Sequence, residues 1–318
     1  MEDTPHRAPE LSALSPGHAP RRVRLHAAAL LAAASLFWAG NFVLGRAASG
    51  EVPPVGLAFW RWALAGAVLA PLAAAPVWRH RRGILRHAWL FFFLALFGVG
   101  SFNTLTYIAL ARTEAINAAL ANSVIPIAIL LAAFLLDRER PARWQLAGLA
   151  LSLSGVAVIV ARGDPVSLAG LAVNSGDLIM LVAVIAWGLY TVLLRRVPPA
   201  LRASLGPMGL LFATILFGLP LIGLCHLLEI ALGGIPMPAD ATSLALVAYT
   251  ALFASVASYL CWNGGVALIG PAASGPFLHL LPLFAALLAV PLLGEAVQPY
   301  HFVGFLLIVG GVALAGRR

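Results

Sequence analysis

A chain of 318 residues that is 61% apolar and only 10% charged, with a mean hydropathy of +0.95, has too few polar side chains to coat a water-soluble globule. All 20 basic residues are arginine, so the phosphate-gripping lysine of an ATP-binding loop is missing and direct use of ATP is argued against. The net charge of +8 does not point to nucleic acid, because most arginines stand in short stretches between apolar runs, where they orient a membrane protein.

In chain order, residues 1–24 are polar and contain Pro5, Pro9, Pro16 and Pro20, a composition expected to form a disordered cytoplasmic tail. Arg21, Arg22 and Arg24 then lead an apolar run past Trp38 to Ala47 with no cleavage site, which reads as a transmembrane helix rather than a signal peptide. Runs able to cross about 30 Å of hydrocarbon are predicted at Leu25–Ala47, Val55–Trp78, Ala88–Ala111, Ala115–Leu136, Trp144–Ala161, Asp177–Leu194, Ala203–Leu227, Thr242–Leu268, Ala272–Leu293 and Tyr300–Ala315. The fold class is therefore all-α and integral to the membrane. Cys225 and Cys261 lie inside these runs and suggest packing, not a disulfide or a metal site.

The chain repeats itself. Pro126–Ala161 laid on Pro282–Arg317 without a gap agrees at ten of 36 positions, among them Pro126/Pro282, Glu139/Glu295, Gly148/Gly304 and Gly155/Gly311, where so apolar a composition matches by chance at about three or four. Ten spans thus divide into two five-helix repeats, 25–162 and 163–318. With a cytoplasmic N-terminus, 16 of the 20 arginines fall on the inner side and Arg46, Arg112 and Arg162 near the outer side, with Arg61 inside a span. Both termini are then cytoplasmic. An odd number of spans per repeat turns the second repeat upside down, the plan of many secondary transporters, which bind substrate near the midplane between the halves.

Pro126 and Pro282 are expected to kink their helices in mid-span, for shape or for gating. Gly148, Gly155, Gly304 and Gly311 are expected to let helices approach closely. Glu139 and Glu295 each precede a helix, with Pro141 and Pro299 soon after, and read as helix caps. These landmarks, with Trp38-Ala39-Gly40-Asn41 in the first span and Arg61 in the second, resemble the EamA family of the drug/metabolite transporter superfamily over residues 25–316. That resemblance implies an exporter of amino acids or other metabolites in the inner membrane of a bacterium. The second half has no arginine matching Arg61, so a symmetric role for it is not implied.

None of the 12 acidic residues falls in mid-span, so the carboxylate relay of a proton-coupled pump and the counter-charge of a cation exporter are not seen. Neutral polar and aromatic residues stand at mid-depth instead. Trp38 and Asn41 are spaced like Trp187 and Tyr190, 149 residues later, and Asn103 and Tyr107 correspond to Tyr259 and Asn263 at an offset of 156. Asn117 and Asn122 add amides in the fourth span. Each is either interhelical glue or the lining of a cavity for a zwitterion or neutral amphipath. Arg61, flanked by Trp60 and Trp62 and about 10 Å into its span, reads as an interfacial residue that snorkels, or as a grip on a substrate carboxylate. His279 reads as a hydrogen-bonded bundle histidine, or as a proton-sensitive or substrate-contacting one.

The leading function is a secondary, ATP-independent exporter of small metabolites, above all amino acids with apolar or aromatic side chains, by alternating access. Other neutral amphipathic metabolites or drugs are the alternative cargo. An intramembrane enzyme is disfavoured, since no nucleophile or metal motif appears in the spans. No cofactor or metal is implied; the expected partners are a small-molecule substrate and the lipid bilayer.

Overall fold

The computed structural model describes residues 20–47, 52–110, 112–113, 121–164, 166, 174–293 and 298–316, and every regular element among them is helical. Residues 1–19 of the tail expected over 1–24, together with Glu51, Glu114, Asn117 and Glu295, lie outside the described residues, and residues 21–24 of that expected tail are helical. The bundle is built from α1 (Arg21–Ala47), α2 (Pro54–Arg79), α3 (Ala88–Leu110), α4 (Ala121–Asp137), α5 (Arg143–Val160), α6 (Ser175–Arg196), α7 (Pro199–Ala231), α8 (Ala241–Ile269), α9 (from Pro271 to Leu293) and α10 (Pro299–Ala315). Eight are long and apolar enough to cross a bilayer, and α4 and α10 are shorter apolar helices. The 17 residues of α10 rise about 26 Å, nearly the hydrocarbon thickness. Helix α1 starts at Arg21, four residues ahead of the expected Leu25, because arginine is a good helix former and Pro20 precedes the first turn.

The packing obeys the duplication. Helix α1 lies against α8 and α9, while α6 lies against α3 and α4; α2 packs on α7 and α5 on α10. Adding five to each label turns the first set into the second and maps each of the last two pairs onto itself, so the repeats are related by a pseudo-two-fold axis. The ends of α7 reveal one departure: Gly206 adopts φ 65°, a left-handed value that needs glycine, and the continuous part of the helix begins only at Pro207.

Both repeats break regular helix in the same places. A π-helical stretch runs over Ala95–Ser101 in α3 and over Thr250–Ala257 in α8, equivalent positions at the offset of 156. Helix α4 is interrupted at Val124, just before Pro126, and α9 narrows to a tighter 3-10 stretch over Gly275–His279, just before Pro282. The expected mid-helix kinks are thus helix breaks, with each proline in the first turn beyond its break, where its missing N–H costs nothing. The breaks meet: a Cβ on Gly275 would come 3.3 Å from Pro126.

Helices α5 and α10 touch backbone to backbone. A Cβ placed on Gly148 would lie 2.4 Å from the Ala315 nitrogen and 2.5 Å from the Gly311 carbonyl, and one on Gly311 would lie 2.5 Å from the Ser152 nitrogen. Gly155 and Gly304 repeat the contact symmetrically.

Polar side chains at the helix ends join elements that sequence separates. Glu229, at the end of α7, accepts from the free amides of Val55 (3.1 Å) and Gly56 (2.8 Å) at the start of α2, and His226 lies 3.2 Å from the same carboxylate. A carboxylate on two free amides at the positive end of a helix is a cap supplied in trans. Glu229→Ala should therefore lower stability by about 1–2 kcal/mol, read as the thermal unfolding midpoint in detergent. Asp240 caps α8 through Thr242 and Ser243, and the Ser243 amide holds its carboxyl below the usual value. Glu139 does not cap α5 as expected. Its carboxylate pairs with Arg195 at 2.5 Å, and Gln145 caps the Ala142 amide instead, because the turn carries Glu139 beyond reach of the α5 amides and toward the end of α6.

Candidate functional site

Three pairs of equivalent residues meet across the pseudo-two-fold axis. The Trp38 and Trp187 rings pack edge to face, centroids 5.1 Å apart; Asn103 Nδ2 donates to the Tyr259 hydroxyl at 3.1 Å; and His279 Nε2 lies 2.9 Å from the Ser123 carbonyl. Residues related by a two-fold axis touch only where they lie on it. The first two pairs share one cluster, since Trp38 and Trp187 each pack against both Tyr259 and Trp262, with Trp62 against Tyr259 and Tyr190 against Trp187. Edge-to-face and tilted pairs of this kind add about 0.5–1.5 kcal/mol each beyond burial.

Polar atoms thread the cluster in the same symmetry. Tyr107 OH donates to Asn41 Oδ1 at 3.1 Å, joining α3 to α1, and Tyr190 OH donates to Asn263 Oδ1 at 2.9 Å, joining α6 to α8. The two bonds are equivalent with residue types exchanged. The π-helical stretches present equivalent carbonyls: Gly98 O accepts from Tyr259 OH at 2.5 Å, and Ala254 O accepts from Trp38 Nε1 at 3.0 Å and from Arg61 at 2.9 Å. A π turn disturbs the i to i−4 ladder and exposes carbonyls to side chains, and such turns gather at functional sites.

Arg61 is where the symmetry fails. It does not snorkel: it is 1% exposed, beside a fully buried Trp62, while only Trp60 faces outward at 46%. Seven residues into α2 it falls on the helix face shared with Leu57, Ala58 and Ala65, which packs inward. Its Nε donates to Ser255 Oγ (2.8 Å), Nη1 to Asn103 Oδ1 (3.1 Å) and Tyr107 OH (2.8 Å), and Nη2 to the Ala254 carbonyl. The guanidinium carbon lies 5.4 Å from the Trp62 ring centroid. None of the described carboxylates is within salt-bridge distance of it. An uncompensated buried charge costs several kcal/mol even after relaxation, roughly what four charge-assisted hydrogen bonds return.

Other residues stand apart from this group. His279 is fully buried with Nδ1 2.6 Å from Ser152 Oγ. The Ser123 carbonyl only accepts, so Nε2 carries a proton, and the two contacts of the ring tie the breaks of α4 and α9 to α5. Asn122 has both amide atoms buried without a hydrogen-bond partner, and no contact joins it to Arg61. Pro126 and Pro282 lie at the helix breaks. Among the described residues no three His, Cys, Asp or Glu side chains are grouped to hold a metal.

Sequence reading passed over Trp262, Ser255 and the Gly98 and Ala254 carbonyls, and took Trp62 only as a neighbour of Arg61. Trp262 stood next to Asn263 and was a signal within reach; a π turn has no such signature.

The two halves match the EamA-like transporter family, over residues 25–161 and 174–317. The chain belongs to that family. It is a transporter by family, and relatives across nearly its full length bear transporter names. It is 25% identical to the uncharacterized transporter YyaM of Bacillus subtilis, over 88% of this chain and 90% of that one, and 29% identical to an uncharacterized transporter of Archaeoglobus fulgidus, over 91% and 96%. A probable terminal-alkyne amino-acid exporter of Streptantibioticus cattleyicolor is 28% identical over 88% and 90%. A crystal structure at 23% identity superimposes with a TM-score of 0.72 over 91% of this chain and 96% of that chain, a likeness of fold.

Proposed function

We propose that this EamA-family transporter is a secondary exporter of small metabolites, chiefly amino acids with apolar or aromatic side chains, working by alternating access around the Arg61 group without ATP. The observation that carries this reading is the convergence of Trp38/Trp187 and Asn103/Tyr259 on the pseudo-two-fold axis beside a buried guanidinium. A site on that axis is presented equally to both sides when the repeats exchange conformations. Aromatic edges suit an apolar body, and the guanidinium suits a carboxylate. The exporter name of the Streptantibioticus relative supports the same cargo class.

The substrate-contacting set is Trp38, Asn41, Arg61, Asn103, Tyr107, Trp187, Tyr190, Tyr259 and Asn263. Asn122 and His279 serve the breaks of α4 and α9, where Pro126 and Pro282 allow the two helices to gate. Membrane orientation follows the arginines, with both termini on the cytoplasmic side of a bacterial inner membrane. Cysteines introduced at the Arg81 and Arg317 positions should react with an impermeant thiol reagent from the cytoplasmic side only; labelling from outside intact cells sinks the orientation.

The deciding experiment is counterflow of labelled amino acids in liposomes that contain this protein alone. Flux of leucine, phenylalanine or tryptophan above empty liposomes, unaffected by ATP, is expected. Trp38→Phe, which removes the indole bond to Ala254, should depress large apolar cargo more than alanine at equal folded protein, whereas Asn41→Ala should depress all cargo alike. No flux for any amino acid overturns the reading.

A further inference from the structure

We infer that the Arg61 site recognises its cargo by a carboxylate and asks nothing of an amine, so that amine-free monocarboxylates with an aromatic or branched apolar body are cargo alongside amino acids. The inference rests on the proposed site and narrows its chemistry.

The site is rich in donors and short of acceptors. A guanidinium has five N–H groups; those of Arg61 make four bonds, all to neutral acceptors, and one N–H on Nη2 is left over. The indole N–H groups of Trp62, Trp187 and Trp262 are buried in the same cluster with no acceptor at all. Three orphaned indole donors in the aromatic cluster, with a spare N–H on a guanidinium that no described carboxylate pairs, suit an anion with several lone pairs, which is what a carboxylate is.

An ammonium group meets the opposite conditions. It needs acceptors and a negative charge, yet Asn103 Oδ1, Ser255 Oγ and the Ala254 carbonyl are already held by Arg61. The described acidic residues, Asp137, Glu139, Asp164, Asp177, Glu229 and Asp240, all stand at the ends of helices or beyond them. Beside a buried guanidinium an ammonium is repelled in a medium of low dielectric constant. A monocarboxylate neutralises the site, whereas a zwitterion neutralises it and then adds a positive charge with no counterpart.

The test uses four probes that share one aromatic body: phenylalanine, 3-phenylpropionate, 2-phenylethylamine and phenylalaninamide. Affinity for the full-length protein in detergent is read from the rise of the thermal unfolding midpoint with probe concentration. Expected is that 3-phenylpropionate binds at least as tightly as phenylalanine, that the two probes lacking a carboxylate bind about 30-fold or more weaker, and that Arg61→Met loses the carboxylate response while Arg61→Lys keeps part of it. If an Arg61 variant does not fold, the four probes on the unaltered protein still decide. The inference is overturned if 2-phenylethylamine or phenylalaninamide binds as tightly as phenylalanine, if phenylalanine binds and 3-phenylpropionate does not, if Arg61→Met keeps the response, or if none of the four binds. Liposome flux separates the two readings: binding without any flux defeats transport and leaves the carboxylate rule, and amino-acid flux without 3-phenylpropionate binding defeats the rule and leaves transport.

Discussion

Arg61→Met should fold as well as the natural chain and transport at least about 10-fold less. The expectation on folding follows from the bonds left behind. Asn103 still reaches Tyr259, Tyr107 still reaches Asn41, Ser255 Oγ still donates to the Thr250 carbonyl at 2.9 Å, and the Ala254 carbonyl still accepts from Trp38 and from Ser258 Oγ. Of the partner atoms only the buried Asn103 Oδ1 loses its donor, a cost of about 1–3 kcal/mol that the removal of the buried charge offsets. Replacing a buried charge with an apolar side chain of similar length relieves desolvation and is often neutral or stabilising, by as much as about 1–4 kcal/mol. The expectation on transport follows from the lost grip: the one N–H left over on Nη2 makes a charge-assisted bond to a carboxylate worth about 1.5–3 kcal/mol, which accounts for roughly 10-fold or more. Unfolding midpoint and initial flux, measured on one preparation, should therefore move in opposite directions. A variant that loses stability in step with flux would make Arg61 a structural residue.

Gly311→Leu should abolish the folded bundle, and its neighbour Gly310→Ala should be harmless. At Gly311 a Cβ would meet the Ser152 nitrogen at 2.5 Å and the Gly148 carbonyl at 2.6 Å. Those are backbone atoms and no rotamer change moves them out of the way, so α5 and α10 must separate. Overpacking of this kind costs about 3 kcal/mol or more, enough to consume a large share of a domain's net stability. At Gly310 the nearest atom is Leu151 Cδ2 at 3.8 Å, ordinary contact, and alanine there gains up to about 1 kcal/mol of helix preference. Size-exclusion profiles of the two variants after mild heating should differ plainly; equal profiles would place the α5–α10 contact elsewhere.

That Gly148, Gly155, Gly304 and Gly311 let helices approach closely was legible in the sequence, because they recur at one offset and small residues have one dominant use in apolar helices; that α5 and α10 are each other's partner was not. The number and approximate bounds of the spans were legible for a similar reason: hydropathy along a helix axis is a one-dimensional quantity, and a bilayer reads it in one dimension. The duplication likewise pointed to residues that would be equivalent, Trp38 with Trp187 and Asn103 with Tyr259.

Azimuth was not legible. In a chain apolar on nearly every helix face, amphipathic periodicity is too weak to say which side of α2 turns inward, so the depth of Arg61 was readable and its direction was not. Its flanking tryptophans pointed two ways, and the structure buries Trp62 while exposing Trp60. Glu139 failed as a cap for a related reason, since its partner Arg195 is 56 residues away and becomes a neighbour only when α4 packs against α6. The π turns of α3 and α8 were invisible because no local residue preference encodes them; they persist because the Tyr259 hydroxyl and the Arg61 guanidinium, both supplied by the opposite repeat, occupy the carbonyls those turns expose. Sequence alone determined what crosses the membrane and what is equivalent to what. Only tertiary packing decided that the equivalents meet, and that an unpaired guanidinium lies at their meeting point, because contacts between helices depend on rotation about each axis, a quantity the hydropathy of a single strand of sequence does not contain.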